Sequence, residues 1–353
     1  MKTAHGGDWA GYREEYAFLP LDFSASVSPL GMPKVAREAA VQALDAAERY
    51  PDPLCRELRS RLSALHGLPT EHIVCGNGAA ELIFRLCRCL QPRQALLTAP
   101  DFGEYSRALT SVGCEVRRVY RLPEENFRLN KRFPEELLPG TELLFLSNPN
   151  NPSGVLCSRD ELERILAACR NIGCILVLDE CFLDFCQESE RFSPLDAAAE
   201  WPELVILRAF TKTWGMAGLR LGYALCGNQS LAKRLEEEGP PWSVSQPAQA
   251  AGAAALEDRE YPKSLRRLLA RERPRMQEGL ASLGFRVVKG EANFLLFQSE
   301  DLLLCGKLRK KGILIRDCGN FPGLRPGWYR TAIRTEQENN ALLSALREVL
   351  ENG

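Results

Sequence analysis

The chain has 353 residues, 45% of them hydrophobic and 26% charged, with a formal net charge of −1. That length suffices for one large domain or two sharing a site, and the balanced charge argues against a nucleic-acid or acidic-membrane partner. No apolar run nears the roughly 18 residues of a membrane span, and the N-terminal residues lack the apolar centre of an export signal, so a cytoplasmic protein is expected. The 13 cysteines are scattered through predicted helices and strands, with no CxxC pair and 3 histidines in the whole chain. They read as reduced, mostly buried thiols rather than as a disulfide framework or a zinc site.

In chain order, residues 80–90 (AELIFRLCRCL) have helical spacing, and QALLTAP (94–100) reads as a buried strand. A helix near 104–112 precedes a second strand, CEVRRVY (114–120), and ELLFLSNP (142–149) is another. Ser158, with Glu161 three residues later, opens the next helix as a capping box. CILVLDE (174–180), LVILRAF (204–210) and LGYALC (221–226) are further short apolar runs. This alternation predicts an α/β fold with a mostly parallel sheet and helices on both faces. From about residue 240 the pattern changes. Long helical stretches over 246–283 lead to FRVVKG, ANFLLFQ, ILIRD and WYRTAIR, then to an amphipathic helix over 336–350. That reads as a smaller α+β domain over 241–353, following a large domain over 45–240, with 1–44 joining the small domain and the site.

In open α/β sheets ligands gather beyond the carboxyl ends of the strands. Four segments there carry special chemistry. GNGAAE (76–81) precedes a helix and leaves backbone N–H groups for a phosphate, although a plain turn has the same composition. SNPNNPSG (147–154) contains Asn151, a donor for a phenolic oxygen or carboxylate, or else forms a rigid Asn/Pro turn. LDECF (178–182) ends an apolar strand on Asp179, a buried carboxylate that needs a cationic partner: a protonated pyridine nitrogen or a structural ion pair. RAFTKTWGMAGLRLGY (208–223) places Lys212 at the end of an apolar run with Arg220 eight residues on. A lysine near fixed positive charge has a lowered pKa and forms imines, whereas most lysines are simply solvated.

The order and separation of these segments resemble the fold-type I enzymes that use pyridoxal 5′-phosphate (PLP), the aspartate-aminotransferase-like superfamily, from His5 to about residue 350. The resemblance implies the corresponding fold, a large domain with a mostly parallel sheet and a smaller α+β domain. It also implies Lys212 as the Schiff-base lysine and Asp179 as partner of the pyridine nitrogen. Asn151 would contact the phenolic oxygen and Phe102, in PDFGEY, would stack on the ring. Backbone at Ala79 and Ala80, with Thr211 and Arg220, would hold the cofactor phosphate. Arg334, in YRTAIR, would clamp the substrate α-carboxylate. Tyr50, in ERYPDP, would reach the neighbouring subunit's phosphate in a homodimer.

Within the superfamily the chain is similar to histidinol-phosphate aminotransferases and to the L-threonine-O-3-phosphate decarboxylases of cobalamin biosynthesis. HGG (5–7), DFSASVSPLG (22–31), PWSVS (241–245), ILIRDCGNFPGL (313–324) and Phe182 in DECFLDF favour the decarboxylases. By that resemblance His5 and Arg316 would bind a substrate phosphate, near Ser26. Ser26 and Ser28 replace two asparagines of the decarboxylase motif, and Ala209 stands where a hydroxyl residue often helps hold the cofactor phosphate. The implied reaction is decarboxylation of L-threonine O-3-phosphate to (R)-1-amino-2-propanol phosphate, with serine phosphate as another substrate. An aminotransferase of the histidinol-phosphate type and a non-catalytic ligand-binding protein on the same fold are the alternatives.

Overall fold

The computed structural model describes residues 5–351. Its centre is a seven-stranded sheet. In spatial order the strands are Ile73–Gly76, Gly222–Cys226, Leu204–Ala209, Ile175–Asp179, Leu143–Ser147, Gln94–Ala99 and Glu115–Tyr120. All run parallel except Gly222–Cys226, which is antiparallel to both neighbours. The inner strands are buried on both faces, which is why LLFLS, ILVLD and LVILRA read as continuous apolar runs instead of alternating. The strand Gln94–Ala99 has Glu115–Tyr120 on one side and Leu143–Ser147 on the other, so strand order reverses there. The carboxyl ends of these strands are where a ligand crevice forms.

The helix Arg159–Ile172 starts at the expected capping box. Ser158 Oγ accepts from the Glu161 N–H, and the Glu161 carboxylate accepts from the Ser158 N–H at 2.7 Å. The long helical pattern over 246–283 is two helices, Gln246–Ala255 and Glu260–Ser282. Tyr261 at the start of the second takes a bond from its N–H to Asp258 Oδ1.

A second, antiparallel sheet orders Arg316–Asp317, Trp328–Ala332, Phe294–Gln298 and Arg286–Val287. The start of the chain reaches into this region. Leu21–Asp22 pairs in parallel with Ile313–Leu314, and Phe23 O accepts from the Ala332 N–H. Five residues on, the Ser28 N–H donates to the backbone oxygen of Lys212. The N-terminal segment therefore ties the small sheet to the crevice of the large one. Among the described residues no helix is long and apolar enough to cross a membrane.

Removing the capping hydroxyl in Ser158→Ala should cost about 1 kcal/mol. A urea titration should show a lower midpoint with an unchanged slope.

Candidate active site

Lys212 lies in the single helical turn Phe210–Thr213 that ends the strand Leu204–Ala209. It is half-buried, and among the described residues no carboxylate oxygen comes within ion-pair distance. Burial, then the charges of Arg330 and Arg220, push its ammonium from 10.5 down to about 8, against the opposing pull of Cys181 and Asp179. A lysine so placed is neutral often enough near neutral pH to act as a nucleophile and a proton carrier.

Asp179 ends the neighbouring strand and is buried. Its Oδ2 accepts from the Tyr105 hydroxyl at 2.5 Å and its Oδ1 from the Cys181 N–H at 3.0 Å. Asn151 is also buried and takes a bond from its N–H to Ser147 Oγ. Phe102 precedes the helix Gly103–Ser111, with its ring edge-on to Tyr105 at 5.6 Å.

Ala79 and Ala80 stand in the first turn of the helix Gly78–Leu90, where Asn77 supplies no side-chain cap, so the first N–H groups remain available to an anion. Backbone and guanidinium crowd together here. Gly78 has φ +79°, and a Cβ on it would come within 2.6 Å of Arg220 Nη2. A Cβ on Gly222 would meet the Ala79 nitrogen at 2.5 Å. Only glycine lets the helix start, the Gly222 strand and Arg220 approach this closely. Thr211 is buried one residue before Lys212. A helix N-terminus beside the Arg220 guanidinium is suited to an anion such as a phosphate, Thr211 offers a hydroxyl, Phe102 a flat apolar face and Asp179 a buried carboxylate. These residues fit PLP.

Arg334, expected as the carboxylate clamp, is already engaged by its own neighbours. Its Nη2 is held by Glu338 Oε1 at 2.7 Å and its Nη1 by the Asp22 oxygen at 3.3 Å. The strand ends at Ala332, and Thr335 with Glu338 forms the box that opens the last helix: the Thr335 hydroxyl donates to Glu338 Oε2 at 2.6 Å. The T-x-x-E pattern at 335–338 was the signal that Arg334 lies outside the strand. Arg330, missed in the sequence, is the buried guanidinium instead. It donates to Asn151 Oδ1 and, at 3.3 Å, to the Ser24 oxygen, and packs 4.9 Å over the Phe294 ring. Burial pushes it down to about 10, and its Nε has no partner among the described residues.

Arg316 is Arg330's partner across the small sheet, so both side chains leave the same face. Its Nη2 donates to Asn320 Oδ1 at 2.8 Å. His5 lies beside Phe102, ring centres 6.0 Å apart, with Nε2 3.0 Å from Glu104 Oε1. Ser26 is buried with its Oγ unpartnered among the described residues, whereas Ser28 bonds the Tyr261 hydroxyl at 2.6 Å. Tyr50 is 78% exposed on the single chain and stacks on Trp242.

Residues 20–346 match the family model for aminotransferase class I and II. The chain belongs to that family. It is a PLP-dependent enzyme with the aspartate aminotransferase fold. Relatives in the aminotransferase class I and II family include a threonine-phosphate decarboxylase of Salmonella typhimurium, 38% identical over 99% of this chain and 97% of the relative. The crystal structure of the histidinol-phosphate aminotransferase from Clostridium acetobutylicum superposes with a TM-score of 0.88 at 29% identity, covering 94% of this chain and 100% of that one. That of L-threonine-O-3-phosphate decarboxylase from Porphyromonas gingivalis gives 0.80 at 26% identity, covering 94% and 99%.

The depressed Lys212 has a sign that can be tested on apoprotein. Below pH 8 the lysine is protonated folded or unfolded, and the fold bears the full cost of its charge. Above 10.5 it is neutral in both states and the cost is gone. Lys212→Met should therefore be more stable than the unsubstituted protein at pH 7, by on the order of 2–3 kcal/mol, with the gap closing between pH 8 and 10.5. Paired denaturant titrations across that range check it.

Proposed function

We propose that this enzyme decarboxylates a phosphorylated hydroxy amino acid, L-threonine O-3-phosphate, giving (R)-1-amino-2-propanol phosphate for cobalamin biosynthesis. One observation carries the reading. Arg330, a buried guanidinium with no acid within ion-pair distance among the described residues, stands directly across the sheet from Arg316. Like charges directly opposite on a sheet are destabilising, and a substrate with two anionic ends relieves that. The 38% identity to a threonine-phosphate decarboxylase along nearly the whole chain supports the same substrate class.

In this reading Lys212, Asp179, Asn151, Phe102, Thr211, Arg220 and the N–H groups of Ala79 and Ala80 hold PLP. When bound, PLP supplies an electron sink for the pair left as a Cα bond breaks. Arg330 takes the substrate carboxylate, a bidentate task suited to guanidinium, and Asn151 fixes one of its nitrogens. Arg316 and His5 take the phosphate, with the unpartnered Ser26 hydroxyl as a further donor. Lys212 Nζ, neutral in part near pH 8, carries the proton returned to Cα. The enzyme works as a homodimer. Tyr50 is exposed and stacks on the exposed Trp242, and Val41, Leu44 and Leu54 near it in the chain are exposed as well, which supports its role in a partner's site.

The second reading, an aminotransferase of the histidinol-phosphate type, needs nearly the same residues, and a relative structure at 29% identity favours it. Carbon dioxide release on L-threonine phosphate, L-serine phosphate, and histidinol phosphate with 2-oxoglutarate separates the two. Carbon dioxide with a phosphorylated amine is the expected result. Glutamate without carbon dioxide would establish the aminotransferase. Arg330→Gln should lower kcat/KM about 100-fold or more, because it removes a buried charge-assisted contact. Arg334→Gln should change it less than about threefold, its partner being the partly exposed Glu338.

A further inference from the structure

We propose that Tyr105 is a positioning residue that acts through Asp179 to keep the proton on the pyridine nitrogen of the cofactor. The proposal rests on Asp179 being that nitrogen's partner.

The Tyr105 hydroxyl donates to Asp179 Oδ2 at 2.5 Å, the short distance of a charge-assisted bond. The residue is buried, with its ring stacked on Phe145 at 4.9 Å and 6° between planes. On its other side Phe102 stands edge-on at 84°. A ring gripped this way leaves the hydroxyl one direction to point. Burial and the charge of Asp179 hold the phenol well above its ordinary range, so it remains a neutral donor and never competes as an anion. With the Cys181 N–H on Oδ1, each carboxylate oxygen carries one fixed donor.

Donors to a carboxylate favour its charged form and weaken its pull on a further proton. A carboxylate facing a pyridinium shares that nitrogen's proton in proportion to its own basicity. Take away the Tyr105 hydroxyl and Asp179 Oδ2 has one donor fewer, so the shared proton moves toward the carboxylate and away from the ring nitrogen. A ring with less positive charge accepts electrons less well, while substrate binding at Arg330 and Arg316 is untouched. Tyr105 makes no substrate contact in this account. Its effect belongs in kcat.

The test uses holoenzyme loaded with PLP labelled with 15N at the ring nitrogen. In Tyr105→Phe, which keeps the ring and its stack, the 15N resonance should move toward the unprotonated position. The kcat should fall about tenfold with KM within about twofold. Because Phe leaves a buried carboxylate short of a donor, site-specific 3,5-difluorotyrosine at 105 provides a version that folds with the same shape and a stronger donor. It should move the resonance the opposite way. With a cofactor analogue carrying carbon in place of the ring nitrogen, the unsubstituted enzyme and Tyr105→Phe should have equal kcat. If the unsubstituted enzyme shows an unprotonated ring, the Asp179 reading fails and this inference with it. If its ring is protonated and neither the phenylalanine nor the fluorinated residue moves the resonance, Tyr105 is only a core residue and the Asp179 reading stands.

Discussion

A half-buried lysine ammonium, with no acid within ion-pair distance among the described residues, is the constraint on which the rest of the structure depends. Lys212 sits where a strand ends, and two positive charges act on it, Arg330 from the small sheet and Arg220 from the loop after it, against Cys181 and Asp179. The positive end of the Gly78–Leu90 helix, against which Arg220 leans, points into the same crevice. Asp179 stands opposite all of these, and its two oxygens are already engaged by donors. Such a crevice is costly for the chain alone and favourable around anions. The buried parallel sheet supplies the rigidity that keeps these charges from relaxing away from one another.

Two anchors also bear on which reaction occurs. In the proposed reading one end of the substrate is fixed at Arg330 and the other at Arg316 and His5. With the nitrogen held by the cofactor, the orientation of the Cα bonds follows from three fixed points. Decarboxylation and transamination differ in which of those bonds stands perpendicular to the ring. A displacement of Arg330 by one strand position would change it, and that is why its bond to Asn151 matters beyond affinity.

Much of this was legible in the sequence because strand ends and chemistry coincide. The runs ending at Ser147, Asp179 and Ala209 are apolar until their last one or two residues; Asp179 is itself such an end, and Asn151 and Lys212 follow the other two within four residues. The capping box at Ser158 is local and was equally plain. What escaped were features set by chain direction and side-chain partnership. The strand Ile73–Gly76 is four residues long, and nothing in its composition separates it from the turn after it. That Gly222–Cys226 runs antiparallel is invisible in an apolar run. Arg330 and Arg334 are the same residue type four apart in YRTAIR. Their roles separate only once the strand is seen to stop at Ala332 and Glu338 to take the second arginine. Tyr105 was hidden because a tyrosine on the apolar face of a helix reads as core, and its bond joins residues 74 positions apart.

The path of the N-terminal segment has a consequence for the order in which the enzyme is assembled. Residues 21–23 pair with 312–314 and 332, and Ser28 then fastens the backbone at Lys212. During synthesis residues 21–23 emerge about three hundred residues before their partners at 312–332, and such distant pairings are the slow ones to form. The crevice is thus closed on one side by a piece that arrives after the large sheet is complete. Until then Lys212 meets any aldehyde from a crevice that lacks the Ser28 contact to its backbone. Discrimination among aldehydes begins when residues 21–23 have met 312–314 and 332.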